Sequence, residues 1–180
     1  MTGSWRVILS GLLLAAAVWI FAISEANQSK RQVPEWHTNT TAGFSIRPPP
    51  GWSSRSDDRD GSQIAPPAQP TDGFATLIVS TRLARDENPM SYLTDVVARP
   101  PAGPIRELEW IREEKIAMED GGPGALGEFT EIYRGMPVHG WMVFAVREGK
   151  VLQAVAQVPR AHGGAAEEAI LASLRSVRPL

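Results

Sequence analysis

A chain of 180 residues without cysteine and with a net charge of −2 excludes several classes at the outset. The missing thiols remove disulfide scaffolds, Cys-ligated zinc or iron–sulfur centres, thiol chemistry and the lipid-modified cysteine of a bacterial lipoprotein. The charge balance supplies no basic field, so no nucleic-acid partner is expected.

Residues 7–24, VILSGLLLAAAVWIFAIS, carry no charge between Arg6 and Glu25. An 18-residue helix rises about 27 Å, close to the ~30 Å hydrocarbon thickness of a bilayer. Its ten Leu, Ile, Val or Phe residues favour insertion. A secretory signal peptide competes with this reading, because Ala22-Ile23-Ser24 offers small residues before a cut at Glu25. The long apolar run and bulky Trp19, Ile20 and Phe21 argue for retention. Residues 1–24 are therefore expected to form a single-pass transmembrane anchor, with Gly11, Ala15, Ala16 and Ala17 permitting close helix contact. Charge sets the orientation poorly, since Arg6 precedes the span and Lys30 and Arg31 follow it.

Residues 25–41, EANQSKRQVPEWHTNTT, are polar and without period, and read as a tether. Trp36 within it, with Trp5 and Trp19, is a candidate for membrane-interface or docking contacts; folding of Trp36 onto the domain is the plainer account. Residues 42–180 then form one domain. Phe44 and Ile46 alternate with Ser45 and Arg47 as a short strand with one buried face, ended by Pro48, Pro49 and Pro50. Gly51 permits the turn that delivers Trp52 to the core.

Residues 53–72 read as a loop with a brief strand near Gln63. Asp58-Arg59-Asp60-Gly61-Ser62 matches the opening of a calcium loop, but position 12 is Pro67 where an acid is needed. Residues 74–83 suit an inner strand. Asn88 caps a helix that begins at Pro89, presents Leu93, Val96 and Val97 on one face, and closes at Arg99. In residues 105–118, Leu108, Trp110, Ile116 and Met118 share the even positions of one strand face. Arg112 and Glu114 interrupt that face, which points to a bent or bulged edge strand. Residues 120–124 are a turn. Residues 126–133, 138–147 and 151–158 follow at hairpin spacing and form an antiparallel meander. The middle run is apolar on both faces and belongs mid-sheet with a layer on each side. Ala166, Ile170, Leu174 and Val177 form the stripe of a last helix.

This order resembles the PsbP-like family, whose fold is an antiparallel α/β/α sandwich. The resemblance rests on Gly43-Phe44-Ser45-Ile46 with Pro50-Gly51-Trp52, on the Gly149-Lys150 hairpin before residues 151–158, and on Ala169-Ile170-Leu171-Ala172-Ser173-Leu174-Arg175. It spans nearly all of residues 42–180. It implies an α+β fold, here preceded by one transmembrane helix, and mostly non-enzymatic roles as extrinsic or accessory subunits at an extracytoplasmic face. It also implies the periplasmic side of the inner membrane for this domain. Nothing about manganese, calcium or chloride carries over.

The residues offer little chemistry. No G-x-S-x-G elbow, H-E-x-x-H helix, Walker loop or dinucleotide fingerprint occurs. Of the three histidines, His37 lies in the tether, and only His139 and His162 are placed to approach each other, with no carboxylate positioned to orient either. Glu113, Glu114, Glu119 and Asp120 read as a solvated rim. Neither an enzyme nor a metal or cofactor is expected. The expected function is an accessory subunit, held in the lipid bilayer and docked on a larger integral membrane protein complex, with a photosynthetic or respiratory complex as first candidate by analogy. The alternative is an exported small-molecule-binding or chaperone-like module, whose mark would be a preformed apolar pocket.

Overall fold

The computed structural model describes residues 35–71, 73–99 and 105–180. The expected anchor at residues 7–24 lies outside them. Among the described residues, no helix is long and apolar enough to cross a membrane.

Three short strands, β1 (His37–Asn39), β2 (Phe44–Ile46) and a C-terminal strand (Arg178–Pro179), make a small antiparallel sheet with β2 in the middle. The stretch read as a tether therefore ends sooner than expected, since its last residues supply β1. The cause is visible at Asn39, whose Nδ2 donates to the carbonyls of Asp58 and Gly61 at 3.0 and 2.8 Å. Its Oδ1 accepts from the Ala42 amide at 2.9 Å, so one buried side chain knits β1 to two turns.

The main sheet has seven antiparallel strands. They are β3 (Ser53–Asp57), β4 (Gly61–Ala65), β5 (Thr76–Leu83), β6 (Ile105–Ala117), β7 (Pro123–Tyr133), β8 (Met136–Arg147) and β9 (Lys150–Pro159). Their spatial order is β3-β4-β5-β9-β8-β7-β6. β3 corrects the loop expected there, for it pairs with β4 across a tight turn. The calcium-like stretch is that turn. Asp58 Oδ1 accepts the amides of Asp60 and Gly61 at 2.9 and 2.8 Å, and its carboxylate is used by its own backbone.

Both hairpins of the meander close through two residues at positive φ, Arg134-Gly135 (51° and 82°) and Glu148-Gly149 (51° and 72°), the geometry that matches strand twist. β8 is an interior strand, between β9 and β7, with a layer on each side. Toward helix α2 (Gly163–Arg175) its Trp141, Val143 and Ala145 join Leu126, Leu152, Ile170 and Leu174 in one core. Toward helix α1 (Pro89–Ala98) its Met142 and Phe144 join Tyr92, Leu93 and Ala125 in a second. Phe44 and Ile46 are fully buried in the α2-side core, Trp52 packs against that core, and Gly51 turns at φ +79°.

β6 is the bulged edge strand that Arg112 and Glu114 pointed to. Its pairing with β7 slips between Arg106 and Glu109 and again between Trp110 and Arg112. The second slip leaves Ile111 unpaired, so Trp110 lies opposite Phe129 on the α1 side while Arg112 lies opposite Glu128 on the α2 side. Ile116 and Met118 thus serve the α2-side core and Leu108 and Trp110 the other.

Candidate functional site

Helix α1 has only ten residues, too few to roof a face of seven strands. Asn88 caps it, its Oδ1 accepting from the Met90 amide at 3.1 Å. Tyr92 pins it: the phenol oxygen accepts the amides of Arg85 and Asp86 at 2.6 and 2.9 Å, and the ring stacks on Phe144 at 5.9 Å. Beyond this covered end the sheet face stays open as a cleft of about 250 Å³.

Two glycines shape its wall. Trp110 and Leu93 lie over Gly127, where a Cβ would come within 2.6 and 2.7 Å of them. The Phe129 ring lies over Gly140, its cross-strand partner. The two rings meet edge to face at 5.3 Å. Opposite them stands Ile78, 45% exposed, and Met142 and Val155 form the floor. A second hollow of about 370 Å³ shares Ile78 and Gln157 with the cleft and ends at the Phe74–Tyr133 ring pair, 5.2 Å apart.

Among the described residues, one ionisable side chain lines the cleft. Glu131, on β7, is 4% exposed. Gln157 Nε2 donates to its Oε1 at 2.6 Å. Burial pushes the carboxyl above its ordinary value, and the Gln157 hydrogen bond opposes the shift without cancelling it.

Two other polar clusters deserve a chemical test. His37 Nε2 lies 3.0 Å from Ser62 Oγ and 3.2 Å from Asp57 Oδ1. The three residue types of a nucleophilic triad are present, but a triad needs base and orienting acid on opposite ring nitrogens. Here both contacts fall on Nε2, and Asn39 also donates to the buried Ser62 hydroxyl, so the set is structural. The second cluster corrects the expectation that no carboxylate accompanies the histidines. Glu128 Oε1 is 2.8 Å from His139 Nε2, and its Oε2 is 2.7 Å from Arg112, which also reaches Glu167. The imidazole stacks on Trp141 at 4.3 Å, and its other nitrogen lies against Gly163 at the start of α2. Both ring nitrogens face protein, leaving none for a substrate.

Trp36 folds onto the domain between two guanidinium groups, Arg178 at 3.8 Å and Arg47 at 5.2 Å from its ring centre. Trp5 and Trp19 lie outside the described residues. Among the described residues, no group of three or more His, Asp or Glu is placed to hold a metal ion. Another groove, of about 400 Å³, runs between Pro48, Pro50 and the Ala165, Ala169 and Ala172 side of α2. Its basic residue, Arg47, is already paired with Glu119.

No protein-family model and no curated protein matches the chain. Solved structures do. The cyanobacterial PsbP (CyanoP) of Synechocystis sp. PCC 6803 superposes with a TM-score of 0.59 at 16% identity, covering 81% of this chain and 92% of its own. The Ran-binding protein Mog1p of Saccharomyces cerevisiae gives 0.52 at 10% identity, covering 81% and 94%. LpqN, involved in cell envelope biogenesis of Mycobacterium tuberculosis, gives 0.52 at 14% identity, covering 74% and 81%. The protein therefore has a PsbP-like α+β fold, a large antiparallel sheet with helices packed on it. At such low identity the likeness extends to the fold.

Proposed function

We propose that this protein is a non-enzymatic binding module, held at a membrane by residues 7–24, whose cleft beside α1 receives the apolar part of a small ligand. The observation that carries the reading is the cleft itself: aromatic walls set on glycine, an apolar floor and one buried carboxyl, the composition typical of ligand pockets. The polar clusters supply no competing chemistry, because both His37 contacts fall on one ring nitrogen and both His139 nitrogens face protein. Methyl NMR tests this on the full chain in phosphatidylcholine nanodiscs. Titration with uncharged 4-phenylbutan-1-ol shifts the Met142 methyl resonance saturably and leaves Met118, in the opposite core, unmoved. Absence of any Met142 shift up to millimolar probe removes the reading.

A second reading has its own support in residues 7–24 and their lack of charge. In it the domain is an accessory subunit on the extracytoplasmic side of the inner membrane, docked on an integral membrane protein complex. Purification of tagged protein in mild detergent is the check, and a lone monomer without stoichiometric membrane partners sinks it. Protease protection of the domain in intact cells tests the side.

A further inference from the structure

Strand β7 carries two buried carboxylates, and their surroundings differ in one respect. Glu128, on the α2 side, is 8% exposed and meets both Arg112 and His139. Glu131, on the cleft side, is 4% exposed, and among the described residues no cation pairs with it. Its one side-chain partner is the neutral Gln157, which occupies Oε1; Oε2 has no hydrogen-bond partner among the described residues. A carboxylate in an apolar setting requires a counter-charge or a proton. For Glu128 the fold supplies the counter-charge. For Glu131 the open side is the cleft, whose remaining polar lining is Ser80, Gln153 and Gln157, all uncharged.

Resting on the binding-module reading, we propose that the cleft takes a hydrophobic organic cation, an ammonium group on an aromatic or aliphatic body. The ammonium group donates to Glu131 Oε2, supplying the charge that Arg112 supplies to Glu128. The body lies against Trp110, Phe129 and Val155, and the ring faces add attraction for the adjoining cation. Neither a carboxylate nor a phosphate ligand fits this arrangement, since each would face Glu131 with like charge.

The experiment compares three probes of one shape: 4-phenylbutylamine, 4-phenylbutan-1-ol and 4-phenylbutyrate. Each is titrated into the full chain in phosphatidylcholine nanodiscs at about pH 7.5, with the Met142 methyl shift as readout. The amine binds about tenfold or more tighter than the alcohol, as expected for one charge-assisted hydrogen bond in a desolvated site, and the butyrate gives no saturable shift. Glu131→Gln keeps an acceptor for Gln157 and brings the amine to within about twofold of the alcohol on the same variant. On the unaltered chain, amine affinity falls as pH is lowered from about 7.5 to 4.5 while the alcohol's stays level, because only the ionised carboxylate pairs with a cation. Among the described residues, Glu131 is the only titratable one lining the cleft, which makes that profile its own. Equal affinities for amine and alcohol, or a level amine profile with pH, overturn the cation inference while the cleft reading stands. Failure of all three probes to move Met142 overturns both.

Discussion

Replacing Gly140 by alanine perturbs the cleft at a single atom. A Cβ there would stand 2.5 Å from Phe129 Cε2 and 2.9 Å from Cε1, with Cζ closer still, so the ring must swing off the strand. Overpacking of this kind costs about 1–3 kcal/mol. Moving the ring also breaks the edge-to-face contact with Trp110, a further loss of about 0.5–1.5 kcal/mol. Against these, removing a glycine from a strand interior returns about 0.5–1 kcal/mol. The net loss is about 2 kcal/mol, which for a domain of this size lowers Tm by roughly 4–8 °C. Thermal unfolding by circular dichroism measures it, and the Met142 methyl resonance reports the displaced ring. The decisive control is Phe129→Leu: with the ring gone, the alanine has nothing to strike, and the double variant is more stable than additivity predicts by about 1 kcal/mol or more. A Gly140→Ala protein melting within about 1 °C of the parent, or a strictly additive double variant, would refute the account of the wall.

Three further outcomes are expected. Asn88→Ala removes the cap on α1 and costs about 1 kcal/mol, read as a lower denaturation midpoint with unchanged slope. Asp120 is held below its ordinary pKa chiefly by hydrogen bonds from Arg147, with the Gly122 amide adding to them. A lowered folded pKa means its stabilisation is complete above the unfolded value near 3.8 and disappears as pH falls through the folded one. Because the Arg147 guanidinium lies on Gly122, Gly122→Ala dislodges it; the variant loses stability at neutral pH and shows a shallower acid-side slope, and an unaltered slope would contradict this. Glu131 carries the opposite sign. Its raised folded pKa gives stability that is present below the unfolded value near 4.5 and lost as pH rises through the folded one. Glu131→Gln therefore melts higher than the parent at pH 8, and the gap narrows toward pH 4.

The meander, both helices and the double-sided β8 were legible because their signals are local: period, caps and two-residue turns. The cleft was not, since it arises from Phe129 and Trp110 lying over glycines on neighbouring strands, which depends on register. A part of that register was within reach. With Arg134-Gly135 taken as a two-residue turn, counting outward pairs Tyr133 with Met136, and hence Phe129 with Gly140. The same count places Glu128 diagonally across from His139, revealing the carboxylate partner that spacing along the chain conceals. β6 resisted any such count, because its two slips change which face each even residue occupies. β1 and β3 are short and polar, and are held by Asn39 and an Asp58 turn that no hydrophobic period announces.

The slips in β6 also bear on how copies of the protein behave toward one another. β6 is a sheet edge thirteen residues long, and a flat edge of that length is a template on which a second molecule can add strands. Here the two interruptions break the row of outward amides and carbonyls, and Glu107, Glu109, Glu113 and Lys115 crowd it with exposed charge. The irregularity that gives Trp110 to one layer and Arg112 to the other thus also makes this border a poor template for a second copy's strands.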